Sequence, residues 1–425
     1  MAVRSRLWLF FALTCAALLP CGCGPAGPSK PLLQRGYLWQ RDWTPAVADA
    51  VTEAGQRLDG LVILGAEIDW RDGTPRCIKA SIPWKLLRGA RKPIAIALRV
   101  APFPGPFAAD DRSARAIIGA VESLLADARK DGVTPGEFQL DFDCAQKKLA
   151  GYRLWVRALR PAVGHLRFVI TTLPAWLDEP EFSRLARDAD GYVLQVHSVP
   201  TIQESGTAVL CDTRLARKWA AKAAKLGLPF SVALPTYRCL AGYGPSGKLL
   251  GVAMDSVQPA WPAGTSLLDF AANADDLAGL VKEWEASRPA GLRELLWYRI
   301  PVATDARNWR WATLSAVMAG RKPMRRIEAS GEGDNPVDLS IANTGEADEP
   351  LECAVTASWN GATLVASDAL PGWRVRTEKN FSVFTLEPGY RLRLSPGDKR
   401  GIGWLRYDQV TAVRLQVAGR GEVPR

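Results

Sequence analysis

From Gly36 to about Pro323 the chain alternates short apolar runs with longer amphipathic stretches. Eight runs have strand length: GYLWQR, GLVILGAEI, PIAIALRVA, EFQLDFD, RFVITTLP, GYVLQVHSV, PFSVALPTY and ELLWYRIP. Helical patterns separate them. In TPAVADAVTEAGQRL, Thr44 stands at an N-cap and Pro45 at the first helical position. In DDRSARAIIGAVESLLADARKDG, Ile117, Val121, Leu124 and Leu125 form one apolar stripe that Gly132 ends. Eight strand-helix repeats predict a (β/α)8 TIM-type barrel over 35–323. The alternative, a doubly wound dinucleotide-binding sheet, lacks a G-x-G-x-x-G after its first strand. From 324 to 425 the helical stripes vanish, and short alternating runs with turns at NTG, NGA, PGW and SPGD predict a β-sandwich-like domain.

Strand side chains alternate between faces, so parity sorts helix-facing residues from lumen-facing ones. In EFQLDFD, Phe138, Leu140 and Phe142 share the face that packs on helices. Gln139, Asp141 and Asp143 then point into the lumen, Asp143 at the C-terminal rim where barrel sites are built. The same test groups Gly65, Glu67 and Asp69; Ala95, Ala97 and Arg99; Val193, Gln195 and His197; Ser231, Ala233 and Tyr237; and Trp297 with Arg299. The expected catalytic set is Asp143, Asp141 and Glu67. The expected substrate-binding set is Trp39, Arg99, Trp176, Gln195, His197, Tyr237, Trp297 and Arg299, the tryptophans offering apolar faces to sugar rings. Asp141 has a second reading as the buried partner of Arg99. Trp43, Trp70, Trp155 and Trp219 read as packing. The segment RCLAGYGPSGKLLGVAMDSVQPAWPAGTS after the seventh strand exceeds an ordinary connection, and reads as a wall or lid carrying Tyr243 and Trp261.

Composition refines this picture. The formal charge of +10 comes from basic residues interleaved with acidic ones, with no dense basic stripe, so nucleic acid is not an expected partner. With only His165 and His197 and no C-x-x-C beyond residue 23, neither a metal nor any other cofactor is expected. Residues 1–23 combine Arg4 and Arg6, an apolar run from Leu7 to Leu19 and small residues, the make-up of an export signal too short to span a bilayer. Gly22-Cys23 resembles the end of a bacterial lipobox, which makes Cys23 the lipidation candidate and a lipid anchor the only expected membrane contact; residues 24–34 follow as a linker. The expected location is the cell envelope, with simple secretion or the periplasm as the alternative. Export permits disulfides, and Cys211 with Cys239 is the pair expected to bridge.

The export signal, LDFD in the fourth strand, Tyr152 in the next helix, ITTLPAW in the fifth and LQVHSV in the sixth together resemble the bacterial family catalogued as domain of unknown function 3142. That resemblance implies a glycosidase-like barrel without an assigned activity. More distantly, LDFD and LGLPFSVALPTYR are similar to the chitinase-like family eighteen of glycoside hydrolases, whose fourth strand ends D-x-D-x-E. Asp141 and Asp143 match the two aspartates, but Ala145 stands where that family has its glutamate acid, and the amide of Gln146 cannot give up a proton. With that acid missing, the expected arrangement has Asp143 as general acid and Glu67, across the pocket, or Asp141 as base or nucleophile. Three functions stay open: a carbohydrate-active enzyme of the glycoside hydrolase type, a non-catalytic glycan-binding or scaffolding lipoprotein, and a structural envelope protein.

Overall fold

A computed structural model describes residues 31–198, 209–254, 260–390 and 392–419. Eight parallel strands close on themselves. They are β1 (Leu33–Leu38), β2 (Gly60–Arg71), β3 (Ile94–Val100), β4 (Glu137–Phe142), β5 (Arg167–Thr172), β6 (Gly191–Gln195), β7 (Phe230–Pro235) and β8 (Leu292–Tyr298). A helix follows each: α1 (Pro45–Arg57), α2 (Trp84–Ala90), α3 (Arg112–Lys130), α4 (Leu149–Val163), α5 (Pro180–Asp188), α6 (Thr213–Lys225), α7 (Ala274–Ala286) and α8 (Trp311–Met318). The chain is therefore a (β/α)8 barrel. Local chemistry sets the helix ends: Asp111 Oδ1 accepts from the Ala114 N–H at 2.6 Å at the start of α3. Thr44 precedes α1 but makes no side-chain capping bond; its carbonyl accepts from Val47 and Ala48 instead.

Two apolar layers result. Phe138, Leu140, Ile96, Leu98, Phe168 and Ile170 pack outward on the helices, while Tyr37, Val62, Ala95, Ala97, Val169, Val193, Ala233 and Leu296 fill the lumen. Below this lumen plug, at the N-terminal end, Arg35 bonds Glu137 at 2.8 Å and Glu294 at 2.8 Å, all three being buried. Ser231 donates to Glu294, and Tyr37 donates to Gln139, which in turn donates to Glu137. Arg167 completes the floor at 2.8 Å from Glu137.

Three expectations shift by a residue or more. The first strand is Leu33–Leu38 rather than 36–41, so residues 33 and 34 of the expected linker belong to it. In β2, Leu64 pairs with Ala97 and Ala66 with Leu98, leaving Gly65 as a bulge. Gly65 faces outward, where a Cβ would fall 2.8 Å from Ile96 and 2.9 Å from Leu124. The bulge resets the alternation so that Val62 and Glu67, an odd number of residues apart, both face the lumen. Asp69 lies beyond the barrel wall, bonded by both oxygens to Arg76 on the hairpin strand Thr74–Lys79.

The segment after β7 is a folded insertion. Its strands 249–253, 238–243 and 266–271 form a three-stranded antiparallel sheet in that order, with a core that includes Tyr237, Cys239, Tyr243 and Phe270. Tyr243 is thus core, not lid lining. Trp261 covers Gly242 and Gly251 of the same sheet. The expected Cys211–Cys239 bridge is absent: both thiols are free and buried, Cys211 in the helix-facing core and Cys239 in the insertion core.

From Ile327 the chain is all β. One four-stranded sheet orders 327–332, 337–343, 399–407 and 364–369, another 373–377, 381–386, 353–359 and 413–419. Val337, Leu339, Ile341 and Leu405 pack with Val355, Ala357, Trp359 and Phe384 between them, as in a sandwich. Barrel and sheets belong to one compact unit. Arg321 pairs with Glu346, which also accepts from the Met324 N–H, and Thr313 donates to the Glu346 carbonyl. Among the described residues no helix is long and apolar enough to cross a membrane. The expected export signal and Cys23 lie outside the described residues.

Removing one partner from a buried ion cluster strands the others without water. Arg35→Ala is therefore expected to lower unfolding free energy by about 3 to 5 kcal/mol, measured by chemical denaturation.

Candidate active site at the barrel mouth

At the C-terminal end of the lumen the floor's complete pairing gives way to partly satisfied groups. Asp141 is partly buried. Its Oδ1 accepts from Thr171 Oγ1 at 2.7 Å and from Gln195 Nε2 at 3.2 Å. Both donors are neutral and lie on β5 and β6, the next two strands round the barrel. Oδ2 is left without a hydrogen bond among the described residues. Burial raises the Asp141 pKa to about 6, helped by the charge of Asp143 and opposed by Thr171, Arg99 and Gln195.

Asp143, one residue past β4, is exposed and makes no hydrogen bond or ion pair among the described residues. Solvent reaches it from the open side, yet the surrounding protein raises its pKa, with Arg99 opposing. Arg99 stands in register with Asp141 on one side and Glu67 on the other. Its guanidinium has no hydrogen-bond partner among the described residues. Burial opposes its charge, but Asp141 first, then Tyr298, Asp143 and Glu67, outweigh it and raise its pKa. The expected buried Asp141–Arg99 pair is thus a through-space attraction and not a contact. Glu67 is held by Arg41. It lies two strands from Asp141, about 9.6 Å by inter-strand spacing, and so beside Asp141 instead of across the mouth.

Aromatic rings form the opposite wall. Tyr298 contacts Trp39 edge to face at 5.5 Å, stacks on His197 at 5.5 Å and meets Tyr237 at 5.7 Å. Burial lowers the His197 pKa to about 4, so the ring is neutral at physiological pH. Its Nδ1 lies 3.5 Å from the Tyr237 hydroxyl. Burial raises the Tyr298 hydroxyl to about 12, which keeps it protonated. The Trp39 indole N–H is buried without a hydrogen-bond partner among the described residues.

Three expected residues sit elsewhere. Trp297 faces the helices, fully buried, and donates to Gln34 at 2.9 Å; its neighbour Tyr298 occupies the lumen. The parity of ELLWYRIP misleads because Leu296, on the lumen face, is as apolar as Leu295 outside. Trp176 is buried on the outer layer against Tyr152 and Phe182. Arg299 is tied to Asp305 at 2.6 Å and to the Met254 carbonyl at 3.0 Å, which joins the end of β8 to the insertion. The mouth thus gathers Asp141, Asp143, Glu67, Arg99, Gln195, His197, Tyr237 and Trp39, and adds Thr171 and Tyr298. Thr171 was visible in RFVITTLP as the polar residue two past Val169. Trp155 is core, and Trp43, Trp70 and Trp219 pack against it. Among the described residues no three His, Cys, Asp or Glu side chains gather as metal ligands.

Residues 92–303 match the family described as Domain of unknown function (DUF3142). The barrel belongs to that family. The β region matches a second, Domain of unknown function (DUF8456), over residues 327–408. None of the curated proteins compared matches the chain. Solved structures similar to it include the spore cortex-lytic enzyme SleL of Bacillus cereus, with 11% identity, a TM-score of 0.49 and coverage of 70% of this chain and 76% of that one. A chitinase from Chromobacterium violaceum has 14% identity and a TM-score of 0.47 over 68% of this chain and 98% of that one. The xylanase and alpha-amylase inhibitor protein of Scadoxus multiflorus has 12% identity and a TM-score of 0.40 over 68% and 98%.

In the DUF3142 barrel, ionising Asp141 works against the fold. Its folded pKa of about 6 lies above the ordinary value of 3.8. The associated stability is full below the ordinary value and lost as pH rises through about 6. Asp141→Asn keeps an Oδ1 acceptor for Thr171 and Gln195 without the charge. It is expected to stabilise the protein by about 1 to 2 kcal/mol at pH 7.5, discounted for partial exposure, and to change little at pH 4. Thermal unfolding at the two pH values measures this.

Proposed function

We propose that the DUF3142 barrel is a glycoside hydrolase that takes a polysaccharide at its mouth, with Asp141 as proton donor and Asp143 as the ionised partner that activates water. The observation that carries this is the state of Asp141: one oxygen fixed by neutral donors, the other free, and a proton retained to about pH 6 beside an exposed carboxylate. The reading exchanges the roles expected from sequence, because the deeper aspartate, not the rim one, has neutral hydrogen-bond donors and the stronger burial. Asp143 stands just past the end of β4, where the Cys144 N–H bonds the Phe142 carbonyl in a tight turn, so an extended-strand rise of about 6.6 Å is an upper bound on the backbone distance between the two aspartates. Trp39, Tyr298 and Tyr237 supply the rings against which a sugar lies, and Arg99 and Gln195 the donors to its hydroxyls. No metal or other cofactor enters this reading.

A second reading, a glycan-binding barrel without turnover, has one observation in its favour. Ala145 is exposed where the chitinase-like pattern has its acid, and Gln146 bonds Glu179 at 2.5 Å. Reducing-sugar release from a panel of envelope and plant polysaccharides separates the two. The expected result is turnover that declines as pH rises through about 6 and that Asp141→Asn lowers by about 100-fold or more while binding persists. Glycan-array binding without any release supports the second reading, and turnover undiminished in Asp141→Asn refutes the role given to that residue.

We also propose that the chain is exported and anchored in the cell envelope by a lipid on Cys23, a reading supported by the N-terminal sequence. Radiolabelled fatty acid is expected to enter the wild type and not Cys23→Ala; equal labelling of both sinks the assignment.

A further inference from the structure

The outer face of the first C-terminal sheet carries a feature that the barrel mouth does not account for. Across its four strands, Glu332 pairs with Asp338, Asp338 with Trp404 and Trp404 with Asp368. The four side chains form one row on the face away from the core, since Val337, Leu339 and Leu405 between them point inward. Like charges directly opposite each other on neighbouring strands are destabilising. Lys399 relieves Glu332, and Arg406 follows two residues along the same face, but neither Asp338 nor Asp368 has an ion-pair partner among the described residues.

A groove of about 380 Å³ lies beside the part of this row from Glu332 through Asp338 to Trp404, with Lys399 also in its lining. Trp404 and Leu370 form its apolar sides, and Ser340 and Gly401 its floor. Gly401 fits there because a Cβ would fall 2.9 Å from Leu370. The Ser340 hydroxyl bonds that of Ser330 at 2.9 Å, which extends the polar floor by one strand. We propose that this groove is a second glycan-binding site, for an uncharged polysaccharide chain. The indole offers a flat face to the C–H side of a pyranose ring. Asp338, Glu332 and Ser340, which line the groove, accept from the ring's hydroxyls; Lys399, also in the lining, is neutralised by Glu332, so Asp338 leaves the groove net negative and disfavours an anionic polymer. The site stands on its own observations, independent of catalysis at the mouth.

Co-sedimentation of the full chain with microcrystalline cellulose, chitin and insoluble β-1,3-glucan tests it, with polygalacturonate as the anionic comparison. The expected result is retention on at least one uncharged polymer that survives Trp39→Ala at the mouth. Trp404→Ala is expected to weaken it by about tenfold, and Trp404→Phe to recover most of it, because a phenyl ring keeps the stacking face. Retention unchanged in Trp404→Ala, retention abolished by Trp39→Ala alone, binding to polygalacturonate only, or no retention of the wild type overturns the groove. Loss through Trp404→Ala with Trp39→Ala unaffected upholds it whether or not the mouth turns sugar over.

Discussion

The structure depends on one constraint: a closed barrel has an inside, and every charge placed there must be paired within it or opened to solvent. At the N-terminal end the first solution is used. Arg35 sits between Glu137 and Glu294, Arg167 meets the second Glu137 oxygen, and Gln139 and Ser231 share with Arg35 the Oε1 atoms of Glu137 and Glu294. Buried clusters of this kind need such completeness, because desolvation costs several kcal/mol per ion and only good geometry offsets it. Above it, Tyr37, Val62, Val169, Val193 and Leu296 separate floor from mouth. At the mouth pairing is partial: Arg41 holds Glu67, but Asp143 and Arg99 face each other's fields without a bond among the described residues, and Asp141 uses one oxygen of two. The contrast within one lumen separates structural charge from charge available for chemistry.

How much of this was legible follows from where alternation is informative. In β4 the outer face is Phe138, Leu140 and Phe142 and the inner face Gln139 and Asp141, so a single period-two pattern fixes both. In β3, Ala95, Ala97 and Arg99 were read in the same way. The reading slips where the two faces do not differ, as in β8, where Trp297 and Tyr298 exchange places. It slips again at Gly65, where a bulge adds a residue that no hydrophobic pattern records. The floor was invisible for another reason: a charge such as Arg35 reads as the end of a strand, and only the third dimension brings Glu137 and Glu294 to it.

The insertion after β7 shows the same limit at the level of a whole segment. Its length and Gly/Pro content marked it as more than a connection, which holds. Its aromatic residues suggested a lid, yet Tyr243 and Phe270 are spent on a small core of its own. What reaches the mouth is Tyr237, at the point where the insertion begins, held between His197 and Tyr298. Arg299, through Asp305 and Met254, fastens the insertion to the strand that carries Tyr298. An arginine at the end of a barrel strand reads equally as a ligand for substrate or as a clasp, and only its partners decide.

Ala145 brings no carboxyl to the mouth, so its electrostatics rest on Asp141, Asp143, Glu67 and Arg99. Were Arg99 in contact with Asp141, that carboxyl would be ionised at all useful pH values and serve only as a counter-ion. Instead its hydrogen bonds come from a hydroxyl and an amide on one oxygen, which orient it without fixing its charge. Arg99, standing off, opposes the rise in pKa at Asp141 and at Asp143 alike. Asp143 has solvent on its open side, although the surrounding protein raises its pKa too; its charge adds to the rise at Asp141. Under the proposed function, this is the asymmetry the two roles need: burial and the charge of Asp143 raise Asp141 to about 6, while Asp143, one residue past the strand, lies open to solvent.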